Sequence, residues 1–164
     1  MKKVNKSGFT IVCFAMLIVL SSALTACSSA PNVEWELSIT GAVSNPTVFT
    51  YRELVDLPQV ELNEVLMEKS RGEDEIRSFS GVDLALLLEQ AGVQDNFSSI
   101  TAKAADGYAI EITPDEMVGG IIALKDHEDW IAKSDPKAGP IRLVFPATPA
   151  NRWVFQVNEI VVNP

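Results

Sequence analysis

Ser80-Gly81-Val82-Asp83-Leu84-Ala85-Leu86-Leu87-Leu88-Glu89-Gln90-Ala91-Gly92 is the stretch that sets the architecture. Ser80 and Asp83 have the spacing of a capping box, Leu84, Leu87, Leu88 and Ala91 recur on one helical face, and Gly92 is a stop. A helix over Val82 to Gln90 with a buried stripe is therefore expected. Two shorter helices carry similar signals: Thr50 with Glu53 before a turn ending near Pro58, and Thr113 with Pro114 and Glu116 before the closing pair Gly119-Gly120. Strands dominate the rest. Trp35, Leu37 and Ile39 alternate with Glu36, Ser38 and Thr40, and Ile100 to Ala105, Tyr108 to Ile112, Ile141 to Phe145 and Trp153 to Val162 are strand-like. Runs of strand broken by short helices, without regular alternation, define the fold class as α+β, a mixed and strand-rich domain with a few short helices.

The N-terminus has a different logic. Lys2, Lys3 and Lys6 make a positive start, Phe9 to Leu20 an apolar run, and Leu24-Thr25-Ala26 places small residues before Cys27. That order is a cleaved export signal. The apolar run is short for a membrane span of ~20 residues and is interrupted by Ser21, Ser22 and Thr25. The segment resembles bacterial lipoprotein signals, which implies a mature chain beginning at Cys27 and carrying acyl chains there, anchored on the exported side of the cell envelope. Residues 1–26 are thus read as signal, 27–32 as a lipidated tether and 33–164 as the folded domain.

Removing residues 1–26 takes three lysines from thirteen basic residues and no acid, leaving ten against 22 acidic ones, a formal charge of −12. A surface so acidic lacks the basic footprint that nucleic acid or an anionic membrane surface requires, so no nucleic-acid partner is expected. A basic ligand or partner is compatible with the charge, as is a merely solvated surface. Cys13 leaves with the signal and Cys27 is committed to lipid, so the folded domain has no thiol. Disulfides, Cys-ligated metals and a Cys nucleophile are excluded there.

Few residues invite a chemical assignment. Asp106-Gly107-Tyr108 is a tight turn between strands whose phenol could also position a ligand. Trp130 and Trp153 could stack on a flat ring, with Trp153 expected in the core and Trp130, beside charged residues, the freer of the two. Asp126-His127-Glu128-Asp129 holds the only histidine, yet consecutive residues seldom converge on one ion, and an exposed loop is expected. There is no nucleophile elbow and no glycine-rich phosphate loop.

A set of motifs in order then becomes informative: Leu37-x-Ile39-x-Gly41-x-Val43-x-Asn45-Pro46, the Thr50 helix, Gly81-Val82-x-Leu84-x-x-Leu87-Leu88, Ala105-Asp106-Gly107-Tyr108, Gly139-Pro140-Ile141-Arg142-Leu143-Val144-x-Pro146 and Trp153-Val154. Together they resemble the oxidoreductase molybdopterin-binding domain of the sulfite oxidase family. The resemblance implies a mixed α+β fold and a molybdenum held by a cysteine thiolate in a Cys-x-Gly-Asn-Arg type segment. Here that interval reads Val65-Leu66-Met67-Glu68-Lys69-Ser70-Arg71, and alignment on the final arginine puts Met67 at the cysteine position. A thioether cannot become an anionic thiolate. The family's Trp-Val-Lys is Trp153-Val154-Phe155 in this chain.

The resemblance implies cofactor-binding roles for Arg142, Arg71 and Tyr108. A guanidinium can grip a pyrophosphate with two prongs. Arg142 is equally suited to an ion pair with an acidic loop, and Arg71 and Lys69 to solvated charge beside Glu68, Glu73, Asp74 and Glu75. No catalytic residue and no metal ligand is assigned. The expected function is a membrane-anchored, non-redox binding module that needs no cofactor and takes a small ligand or an envelope protein. The alternative is a molybdopterin-dependent oxidoreductase subunit with a thiolate-free site. Substrate and electron partner are not encoded in any motif.

Overall fold

The computed structural model describes residues 29–94 and 96–164, so Cys27 and the signal lie outside the described residues. Two sheets carry the fold. In the first, β1 (Glu36–Gly41) and β11 (Val157–Asn163) run parallel at the centre, flanked by β2 (Thr47–Thr50) on one side and by β5 (Ser99–Ala104) and β6 (Ala109–Ile112) on the other. The second sheet is antiparallel, in the order β10 (Val154–Phe155), β9 (Arg142–Val144), β7 (Ile121–Asp126), β4 (Glu75–Asp83), β3 (Gln59–Met67), with β8 (Asp129–Trp130) also paired to β7. Three short helices complete it: α1 (Tyr51–Asp56), α2 (Leu84–Gln90) and α3 (Ile131–Ser134). The α+β, strand-rich expectation is what is found. Among the described residues no helix is long and apolar enough to cross a membrane.

The alternation in β1 works as read: Leu37 and Ile39 are fully buried while Glu36 is exposed. They join Ile100, Ile160 and Val162 of the same sheet, Phe79, Ile122 and Leu143 of the other, and Leu84, Leu87 and Leu88 of α2 in one apolar cluster. The capping box before α1 is complete: Glu53 N donates to Thr50 Oγ1 at 3.2 Å and Thr50 N donates back to the Glu53 carboxylate at 2.7 Å. The Thr50 amide, together with the Thr50 hydroxyl that also donates to this carboxylate at 2.7 Å, holds the Glu53 carboxyl below its ordinary range.

Four sequence expectations need correction. The helix read from Val82 begins at Leu84, because Ser80 to Asp83 continue β4 and pair with both β3 and β7; the cap is Asp83, whose carboxylate accepts from Ala85 N at 2.9 Å. Each ladder hydrogen bond satisfies a backbone group that a helical first turn leaves open. The third helix is only a run of turns: Glu116 N and Met117 N do donate to Thr113 O, at 3.1 and 3.2 Å, but the segment is too short to propagate before Gly119, at φ +70°. The strand read over Trp153 to Val162 is two strands in different sheets, split at Gln156, whose φ is +51°. Trp130 is not free: it is nine-tenths buried and lies under the Lys125 ammonium, 4.6 Å from its ring centroid.

Candidate functional site

The segment that the resemblance marks as metal-binding lies at the end of the β3–β4 hairpin. Met67 is the last residue of β3, partly buried against the core and paired with Glu75 of β4. Glu68 O accepts from Ala150 N at 3.0 Å, which ties this hairpin end to the 3₁₀ turn Ala150–Arg152 just before Trp153. Tyr108 reaches the same turn: it sits after Gly107, at φ +91°, and its phenol donates to Asn151 O at 3.3 Å. Glu68, next to Met67, and Tyr108 thus both bond to the backbone of the turn that precedes Trp153. Arg71 is exposed within the hairpin loop.

Arg142 belongs to a charged cluster that reaches back to the same hairpin. It leaves β9 with only 3% of its surface exposed and is gripped by two carboxylates, Asp126 Oδ2 at 3.1 Å and Asp135 Oδ2 at 2.6 Å. Arg77 of β4 shares Asp126 Oδ2, also at 3.1 Å, and faces Glu75, which in turn bonds Lys69. That Lys69 hydrogen bond holds the Glu75 carboxyl below its ordinary range. The result is a chain of alternating charge, Lys69, Glu75, Arg77, Asp126, Arg142, Asp135, running across β4, β7 and β9. It borders a cavity of about 260 Å³ that Ser134 and His127 also line. At the position where the resemblance expects the lysine of Trp-Val-Lys, the Phe155 ring lies 4.9 Å from the Arg142 guanidinium.

Asp126 was missed by sequence reading. Asp126-His127-Glu128-Asp129 is expected as an exposed loop, and His127 and Glu128 are exposed, but Asp126 ends β7 and is nine-tenths buried. The available signal was the apolar run Ile121-Ile122-Ala123-Leu124, which delivers the next residues along a buried strand. His127 Nε2 stands 3.9 Å from Asp126 Oδ1, beyond hydrogen-bond reach. Among the described residues no three His, Cys, Asp or Glu side chains converge to hold a metal.

Trp153 is core as expected. Its indole donates to Phe145 O at 2.9 Å, and its ring meets Phe79 edge-on with centroids 5.6 Å apart. Beside it Arg152 forks onto Glu116, with Nε–Oε1 at 2.7 Å and a second nitrogen to Oε2 at 2.8 Å. The same nitrogen also donates to Glu111 O at 2.8 Å. With the Thr113 amide adding a bond, the Glu116 carboxyl is pushed down to about 2.

These residues fit a pterin pyrophosphate poorly. Lys69, Arg77, Arg142 and Arg152 each already hold carboxylates, and a phosphate drawn to Arg142 would meet the charges of Asp126 and Asp135. The residue that the resemblance sets against the family's cysteine, Met67, offers only a thioether.

The architecture and the ordered motifs define the class: the chain belongs to the oxidoreductase molybdopterin binding domain family, whose model matches residues 25–164. Among solved structures it is similar to the sulfane dehydrogenase SoxCD from Paracoccus pantotrophus, with 22% identity and a TM-score of 0.68. That match covers 83% of this chain and 40% of the other, and it is a likeness of fold. No curated protein matches.

Proposed function

We propose that this chain is a lipid-anchored protein of the bacterial cell envelope whose molybdopterin-binding-type domain acts as a non-redox binding module for a small ligand or an envelope protein. In this reading residues 1–26 are removed on export, Cys27 carries the acyl chains, residues 27–32 form the tether and 33–164 the working domain. Met67 carries the argument. It stands at the position of the family's metal-ligating cysteine, and its thioether has no proton to lose, so the anionic anchor for the metal is missing. A fold does not bring an activity with it once the groups that perform the chemistry differ. The pairing of Lys69, Arg77, Arg142 and Arg152 with carboxylates supports the same reading.

The test is metal and pterin analysis of the mature chain, purified from its own host with Cys27→Ser to keep it soluble. The expected result is neither molybdenum nor tungsten and no pterin. Close to one metal and one pterin per chain would overturn the proposal and make the protein an oxidoreductase subunit with a thiolate-free site.

A further inference from the structure

An apolar groove of about 570 Å³ runs between α2 and the turn at 113–119. Its floor and walls include Leu84, Leu88, Phe97, Met117 and Val118, and among the described residues the charged ones that line it are acids, Asp83 and Glu89. Val118 is the most exposed large apolar side chain among the described residues, at 69%. That exposure is imposed by the fold. Thr113, Glu116 and Arg152 pin the turn from one side, while Gly120 closes it where a Cβ would lie 2.8 Å from the Phe145 ring. The opposite wall is equally firm, since Leu84, Leu87 and Leu88 root α2 in the core. The groove is therefore set before anything enters it, and ordering costs on binding are small.

We propose that this groove docks a protein partner through a basic, amphipathic segment, with apolar side chains inserted between Leu88 and Val118 and lysines or arginines facing Asp83 and Glu89. Charge complementarity selects the occupant. An acyl chain would gain nothing from the acidic rim, and a second copy of a chain with formal charge −12 after residue 26 would bring acid to acid. An unbranched thioether at Met117 lets one wall adapt to differing apolar side chains. Met67, Arg71, Tyr108 and Arg142 do not line the groove, so the proposal goes beyond the non-redox reading and stands or falls separately from the metal analysis.

The experiment is fluorescence anisotropy of a labelled synthetic leucine–lysine amphipathic peptide titrated with the mature chain carrying Cys27→Ser. Val118→Asp is the decisive variant, because it adds an acid and would strengthen a contact made by charge alone. The expected result is binding that Val118→Asp weakens about tenfold, the scale of losing one buried anchor. Glu89→Lys should also weaken it, and a leucine–glutamate peptide of the same pattern should not bind. The proposal is overturned if the leucine–lysine peptide does not bind, if Val118→Asp binds it as well as or better than the parent, or if the acidic peptide binds equally.

Discussion

Glu116 should make a measurable, pH-dependent contribution to stability. Its carboxylate receives both prongs of Arg152 and the Thr113 amide, and its pKa falls from an ordinary 4.5 to about 2. A drop of that size corresponds to about 3 kcal/mol by linkage. The Glu116 and Arg152 side chains are 25% and 29% exposed, so solvent screening brings the expected contribution to about 1–2 kcal/mol. The sign follows from the direction: a depressed carboxyl favours the folded state above its unfolded pKa of 4.5, and that contribution disappears as pH falls through its folded value. Urea unfolding of the mature chain and of Glu116→Gln should therefore differ by about 1–2 kcal/mol at pH 7 and converge as pH is lowered toward 2. A gap of the same size at both ends of that range would refute the reasoning, since a packing defect does not titrate.

Asp126→Ala should cost about 3 kcal/mol in the same unfolding assay, because it leaves the buried guanidinium of Arg142 with Asp135 alone and takes from Arg77 its closest carboxylate. Gly81→Ala should lower stability by about 1–3 kcal/mol, since the new Cβ would sit 2.0 Å from Ile122 O where β4 and β7 shift register; thermal melting with no loss of stability would contradict that close approach. Cys27→Ser should move the protein from the membrane to the soluble fraction of its host, and continued membrane retention would remove lipid as the anchor.

How much of this was legible depended on whether the pattern was local. The Thr50–Glu53 capping box, the buried stripe Leu84, Leu87, Leu88 and the Asp106-Gly107 turn are decided within a few residues, and each is present. Ser80 to Asp83 misled because the same residues that spell a helix start are also drawn into ladders with Gln59–Glu61 and Ile121–Lys125, partners that no local window contains. β3 went unread for another reason. Its edge position leaves Val60 and Leu66 exposed and its register shifts between Leu62 and Val65, with Glu64 at φ +54°, so alternation fails. The site was half legible. Of the residues the motif order pointed to, Tyr108 lies against the 150–152 turn, Arg71 is exposed in the hairpin loop and Arg142 is held by Asp126 and Asp135, so the three are not brought together. Asp126, the partner of Arg142, could be recognised only once β4, β7 and β9 lay side by side.

The charge count and the site geometry have one physical basis. From Ser29 onward the chain has ten basic residues, and six of them, Arg52, Lys69, Arg77, Lys103, Arg142 and Arg152, are in ion pairs with carboxylates. Lys125 lies over Trp130, and Lys133 donates to Ser29 O. Arg71 and Lys137 alone make no such contact among the described residues, and neither lines the charged cavity at Arg142. To receive a pyrophosphate, the fold would have to withdraw Arg77 or Arg142 from Asp126, leaving a nine-tenths buried carboxylate with one cation fewer, at a cost of several kcal/mol. A cationic partner requires no such exchange. Asp83 and Glu89 beside the apolar groove make no ion pair among the described residues, so a basic segment can meet them without breaking an internal bridge. In the proposed reading, the surplus of acid that opposes an anionic cofactor is thus the same property that suits a basic protein partner.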